Sequence, residues 1–270
     1  VFQNSGSGVT VPSTKTNIQG NSGASHALCH LAPGKVLTVI RRSDGKFTPW
    51  VGVINATTNE VAWTNHYSST GYSHLRDSNN SNPYTGETST WELPRLVKVA
   101  DNKAVFFWQY GGLNAIVITY NTGSTQWSCG ATSSVSSNNV NQVCKPVWDS
   151  TNSRLWTNVD ADTDAKVRCA YISGSTLYWG TARNVNAGGQ GNAYSLVHDP
   201  SVNRMLFTYR VGSTHYITTL TLSGSNNITQ NSTNTFGEAD DRIEGVYAEH
   251  TGTIMYAYYS NSSTTRMKNV

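Results

Sequence analysis

Charge is what this 270-residue chain has least of: Asp, Glu, Lys and Arg together make up 13% of it, where an ordinary globular protein carries about a quarter. The net balance is only +3, and Arg41 and Arg42 are the one adjacent basic pair. Nucleic-acid binding needs a basic stripe, so that class of partner is excluded. No run approaches the roughly 18 apolar residues of a membrane-spanning helix, which excludes insertion by that route. Apolar residues at helical spacing are missing and strong helix formers are scarce, which excludes a helical domain. There are four cysteines, none in a C-x-x-C pair, and their spacing fits no zinc pattern. Nucleophile elbow, P-loop and dinucleotide fingerprint are all missing, so no cofactor is expected. The chain does not begin with Met and shows no signal peptide, and reads as a mature product or as a segment of a longer one.

Ser, Thr, Asn and Gly fill the space instead, with 14 Tyr and 8 Trp. Such β-branched, aromatic and turn-forming residues describe an all-β protein. A strongly apolar strand recurs at 35–42, 103–110, 154–159, 204–209 and 253–258. The last four start about 50 residues apart, a repeat of blade length, and the first interval is longer. Each strand follows an apolar segment and a tight turn, and a second hairpin follows it. The unit is therefore a four-stranded meander, and the expected fold is a five-bladed β-propeller of four-stranded antiparallel blades. The whole chain reads as one propeller domain. Blade 1 covers about 26–64 with an insertion at 65–92, and blades 2, 3 and 4 cover about 93–141, 142–190 and 191–241. Blade 5, about 242–270, stops early. The segment 1–20 supplies the missing hairpin, so closure is expected by pairing of the N- and C-terminal segments, which removes a free edge.

The fourth unit, Tyr194-Ser-Leu-Val-His-Asp-Pro-Ser-Val-Asn-Arg-Met-Leu-Phe-Thr-Tyr-Arg210 followed by Tyr216-Ile-Thr-Thr-Leu-Thr-Leu-Ser-Gly-Ser-Asn-Asn-Ile-Thr229, resembles the blade repeats of bacteriophage tail-fibre and virion surface proteins of the marine and cyanophage type. The third unit shares the opening Asp149 without the Pro, and the other units lack the Asp-Pro pair. The resemblance implies a non-catalytic module at an extracellular or virion surface. Its implied partners are a host-surface glycan or protein and other subunits of an assembly. Five-bladed propellers also include lectins and glycan-cleaving enzymes, so a propeller lectin and, behind it, a glycoside hydrolase are the alternatives.

A hydrolase would need two carboxylates flanking a sugar. Asp101, Asp149 and Asp199 each open an equivalent turn, which explains them without catalysis. Glu244 and Glu249 are the remaining pair, and a surface or turn role accounts for them too; no catalytic residue is assigned. The run Asp160-Ala-Asp-Thr-Asp164 lacks the glycine and terminal Glu of a calcium loop, and no metal site is assigned. The insertion in blade 1 concentrates His66, Tyr67, Tyr72, His74, Arg76, Asp77, Tyr84 and Trp91. Long loops in compact domains carry function or disorder, and aromatics among hydrogen-bonding groups suit a sugar or a protein partner. These eight are the expected ligand-binding residues, with capping of the fold or of a neighbouring subunit as the alternative. Cys129 and Cys144 flank one polar loop and form the expected disulfide if one exists. Cys29 and Cys169 fall in apolar strands and read as buried thiols.

Overall fold

The structure, a computed structural model, describes residues 3–4, 9–10, 26–42, 45–64, 74–76, 78, 94–137, 145–159, 164–187, 194–238, 243–260 and 264–270. All regular structure among them is strand. The fold class is the expected one, a β-propeller of five antiparallel blades. Blade 1 runs His26–Ala32, Lys35–Arg41, Phe47–Ile54 and Val61–Thr64, each strand pairing with the next. Blade 2 runs Arg95–Ala100, Lys103–Gln109 and Leu113–Asn121, and its outer position is shared by Gln126–Cys129 and Ser133–Ser136. Blade 3 repeats this with Val147–Asp149, Arg154–Asn158, Asp164–Ser173, then Thr176–Trp179 and Arg183–Ala187. In blade 4 the outer strand is continuous: Ser195–Asp199, Arg204–Val211, Thr214–Ser223, Asn227–Glu238. Blade 5 has three strands, Ile243–Ala248, Thr253–Ser260 and Thr264–Asn269.

The N-terminal hairpin exists, with Gln3 opposite Thr10 and Asn4 opposite Val9. Among the described residues it is a sheet of its own, and the expected pairing with the last strand is not found. The Asn, Ser and Gly residues that implied completion specify a turn, but nothing in a two-residue strand specifies which edge it joins.

The second strands carry the core. Val105, Phe106, Leu155, Trp156, Leu206 and Phe207 are all buried. What the five dissimilar first turns share is a backbone state. Gly34, Asn102, Ser153, Asn203 and Gly252 all take a left-handed φ, between 50° and 68°. Glycine adopts it freely, Asn tolerates it, and Ser does so at a cost.

By its contacts the chain forms two compact units. The first, residues Val1–Glu87, Leu93–Phe107 and Ile116–Thr132, holds blade 1 and much of blade 2. There Asn102 N–H donates to Leu31 O at 3.1 Å, and Phe47 meets Phe106 edge to face at 4.8 Å.

The second unit, Thr88–Glu92, Trp108–Ala115 and Ser133–Val270, shows how successive blades are joined. In blades 2, 3 and 4 the outer chain rejoins the third strand through a register shift. One shift in each blade falls at an apolar, buried residue, Val135, Val185 and Phe236; a second shift in blade 4 falls at the exposed Asn231. A bulged residue has no partner across the ladder, so its carbonyl must find a donor elsewhere. The next blade supplies one. Arg168 Nη1 donates to Val135 O, Gln230 Nε2 to Val185 O at 3.4 Å, and Lys268 Nζ to Phe236 O at 2.9 Å. Arg168 and Lys268 hold the same place in their third strands, opposite Thr157 and Tyr256. Each cation also lies over a ring, Arg168 over Trp179 at 5.8 Å and Lys268 over Phe236 at 4.8 Å. Burial pulls the Arg168 pKa below its usual value.

Candidate functional site: a tyrosine platform beside blade 4

Tyr171 and Tyr178 are directly opposed across the outer hairpin of blade 3. Directly opposed residues bring their Cβ atoms about 5 Å apart on one face of a sheet, and these two rings stack. Their centroids are 4.7 Å apart with 8° between the planes. The alternation of the strand turns Leu177 into the core and leaves Tyr171 36% and Tyr178 45% exposed. Gly174, with φ of 60°, makes the turn between them. The equivalent pairs are Thr119 with Ser128 in blade 2 and Thr221 with Thr229 in blade 4. The platform therefore belongs to blade 3 alone among these three.

Arg154 lies beside it, its guanidinium carbon 5.6 Å from the centre of the Tyr171 ring. Nε donates to Ser225 O of blade 4 at 2.8 Å, and Nη1 to Asn152 O and Ser153 O at 3.0 and 3.1 Å. Nη2 donates to none of the described residues. The place of Arg154 in its turn is that of Arg204 in blade 4, yet the two behave differently. Arg204 Nη2 lies 3.4 Å from Asp199 Oδ2, the carboxylate that opens its own turn. In blade 3 the corresponding oxygen, Asp149 Oδ2, accepts Asn152 Nδ2 at 2.7 Å instead, while Oδ1 accepts Asn152 N–H at 2.9 Å. Blade 4 has Val202 where blade 3 has Asn152, and valine has no donor to offer.

The rest of the rim holds this edge in place. Asn226 of blade 4 donates Nδ2 to Tyr178 O at 3.1 Å, and its own carbonyl accepts the Cys169 thiol at 3.4 Å. Gly180 permits the approach, since a Cβ there would sit 2.5 Å from Asn226 O. Asn152 Nδ2 also reaches Asn203 Oδ1 at 2.7 Å, and His198 Nε2 lies 3.2 Å from Asp149 Oδ1 with both side chains buried.

Of the eight residues expected to bind ligand, His74 and Arg76 are described, and His66, Tyr67, Tyr72, Asp77, Tyr84 and Trp91 lie outside the described residues. His74 is buried and accepts Arg76 Nε at 3.3 Å. Between them Leu75 is buried and its N–H donates to Phe47 O at 2.8 Å. This stretch thus packs on its own blade. Asp149 and Asp199 form turns, as their repetition implied; Asp199 Oδ1 accepts Ser201 N–H at 3.1 Å and Oγ at 2.6 Å. Asp101 is exposed against Lys98 at 2.6 Å, which holds its carboxyl below the usual range. Glu244 and Glu249 are exposed, one on the first strand of blade 5 and one in its turn. Asp164 pairs with Lys166 at 2.9 Å; 160–163 lie outside the described residues. Cys144 and its expected bridge to Cys129 also lie outside them. Cys29 and Cys169 carry unbridged thiols, and burial pushes both up to about 12.

Sequence reading missed Tyr171, Tyr178 and Arg154. The available signal was Tyr171 and Tyr178 flanking the Ser-Gly turn, a cross-strand pair where neighbouring blades place Ser and Thr. No protein-family model matches the chain, and no curated protein matches it in sequence. Its fold resembles several solved structures. One, a protein from Lactobacillus plantarum, is 12% identical with a TM-score of 0.58, covering 92% of this chain and 70% of that one. The lectin of Aleuria aurantia, in complex with Fucα1-6GlcNAc, is 12% identical at TM-score 0.50, covering 91% and 74%. A second structure of that lectin, described as a six-bladed β-propeller with a novel mode of fucose recognition, is 11% identical at TM-score 0.50 with the same coverage. At these identities the likeness is one of fold.

Proposed function

We propose that this protein is a non-catalytic glycan-recognition module whose sugar-binding face is the Tyr171–Tyr178 platform with Arg154 at its side. The observation that carries the reading is the exposed stacked pair itself. The pair presents the outer face of Tyr178 and the exposed edges of both rings, held rigidly at little entropic cost, and such aromatic surface suits a sugar ring. Arg154 lies over the Tyr171 ring and Asn226 bonds the Tyr178 carbonyl. The lectins of similar fold lend the reading support by analogy. On the enzymatic side, Asp149 and Asp199 are engaged within their own turns, Asp101 pairs with Lys98, and Glu244 and Glu249 face water.

A glycan array tests this directly. Binding should appear with the intact protein and be lost in Tyr171→Ala, with unchanged thermal unfolding. If Tyr171→Ala binds the same glycans equally well, the platform is not the site.

The finer reading places the module at an extracellular or virion surface, within a larger assembly and facing a host glycan or protein. It rests on the Asp199-Pro200 to Arg204 repeat of blade 4. Mass spectrometry of purified particles from the source would find the chain there, and its confinement to the cell interior would refute the assignment. Tyr84 and Trp91 of the blade 1 insertion are second candidates for the same role, tested by Tyr84→Ala with Trp91→Ala in the array.

A further inference from the structure

We infer that the glycan recognised at this platform is anionic, carrying a carboxylate or sulfate that Arg154 meets through Nη2. The inference rests on the glycan-binding reading and adds the class of ligand. Its basis is the contrast between two turns of one pattern. In blade 4 the turn arginine is neutralised by its own turn aspartate, Arg204 Nη2 to Asp199 Oδ2 at 3.4 Å. In blade 3 Asn152 has taken both oxygens of Asp149, and His198 Nε2 lies 3.2 Å from Oδ1 as well. Arg154 is thereby displaced from its aspartate. Its Nε and Nη1 go to three backbone carbonyls, those of Asn152, Ser153 and Ser225. Carbonyls orient a guanidinium and leave its charge uncompensated; among the described residues no carboxylate pairs with it.

The result is a cation fixed at three points, half-buried, lying beside an exposed aromatic pair, with one nitrogen that meets no acceptor among the described residues. Charge-assisted bonds from arginine to carboxylate or sulfate are the strong kind. A sugar lying across the exposed edges of the stacked Tyr171 and Tyr178 rings, with an acidic substituent toward Arg154, would use both features together. Thr221 and Thr229 stand in place of the tyrosines in blade 4, where the arginine is already paired. Aromatic pair and unpaired arginine thus occur together in blade 3 and are both missing from blade 4.

The test is an array of neutral glycans printed beside sialylated, uronate-containing and sulfated glycans on the same cores, followed by calorimetry on the best anionic member and its neutral counterpart. The anionic form should bind about tenfold more tightly or better, the worth of one charge-assisted hydrogen bond, and the margin should shrink as salt rises. Arg154→Gln should abolish that margin. Asn152→Val should do the same with the arginine still in place, because Asp149 then becomes free to pair with it. Sialylated or uronate members alone on the bound list would identify a carboxylate, and sulfated members alone a sulfate. Neutral glycans bound as tightly as anionic ones, through Tyr171, would overturn this inference and leave the glycan-binding reading standing. Binding of no glycan at all would overturn both.

Discussion

A single side chain, Asn152, decides what its neighbour does. It satisfies Asp149 and so sets Arg154 free of it, a relation invisible in a sequence where blades 3 and 4 both show Asp and Arg five residues apart. Asn152 also reaches across to Asn203, whose own φ of 50° lies in the left-handed region. Replacing Asn203 therefore separates two costs. Asn203→Gly should lose only the hydrogen bond, whereas Asn203→Ala loses it and adds backbone strain, for about 1–2 kcal/mol in total. Urea unfolding should rank the wild type above Asn203→Gly and Asn203→Gly above Asn203→Ala. Equal stability of the two variants would mean that the turn carries no strain. At this scale the sequence was partly legible. The turn role of Asp149 and Asp199 follows from their recurrence, but the exchange of partners follows from one Asn-for-Val difference that pattern reading passes over.

Between elements, the joints of the second unit are made at bulges. The repeat of strands and turns could be read from hydrophobic alternation and from Asp, Asn, Gly and Pro. The bulges could not, because Val135, Val185 and Phe236 sit in polar Ser/Thr/Asn stretches where one apolar residue looks incidental. Arg168 is the most committed of the joining side chains, bonded to Val135 O and, at 2.6 Å from Nε, to Gly180 O. Arg168→Met should keep the packing on Trp179 and leave these carbonyls without their donor, destabilising by about 1–3 kcal/mol in a denaturant melt. A loss within experimental error would show that water replaces the guanidinium. Gly180→Ala should be worse than an ordinary surface change, since its Cβ collides with backbone at Asn226 rather than with a side chain that can turn away. Hydrogen exchange should then quicken at Asn226 and its neighbours, and unchanged protection there would show that the collision is absorbed elsewhere.

For the whole molecule, the class and blade count were legible because they depend on a signal repeated five times. The completion of blade 5 across the ends was not fixed by the same signal, because hairpin chemistry names a turn and no partner. Two thiols, the buried Cys169 and the half-buried Cys29, give a pH dependence. Cys29 and Cys169 ionise at about 12 when folded, against 9.0 ordinarily. Above the lower value the unfolded chain loses protons that the folded chain keeps, so stability should fall as pH rises from about 9 toward 12. Thermal melts across that range should show the decline, and Cys29→Ala with Cys169→Ala should reduce it, most clearly below the range where the buried Tyr120, Tyr209 and Tyr256, also raised by burial, add to it; an undiminished slope would assign the effect elsewhere. A platform found in only one of three compared blades also predicts one sugar bound per chain at this face, measurable as calorimetric stoichiometry. Five equal sites would contradict it.

The joints at Val135, Val185 and Phe236 have a direction: the earlier blade always offers the oxygen and the later one the hydrogen. A blade of this kind is a tile with unlike edges. Exchanging blades 3 and 4 would set Gln230 where Arg168 now answers, and repeating blade 4 in tandem would set it where Lys268 does, in each case a neutral amide for a cation. The blades of such a chain are therefore not interchangeable, and the cost of any new order is set at each seam by the side chain that meets the bulged carbonyl.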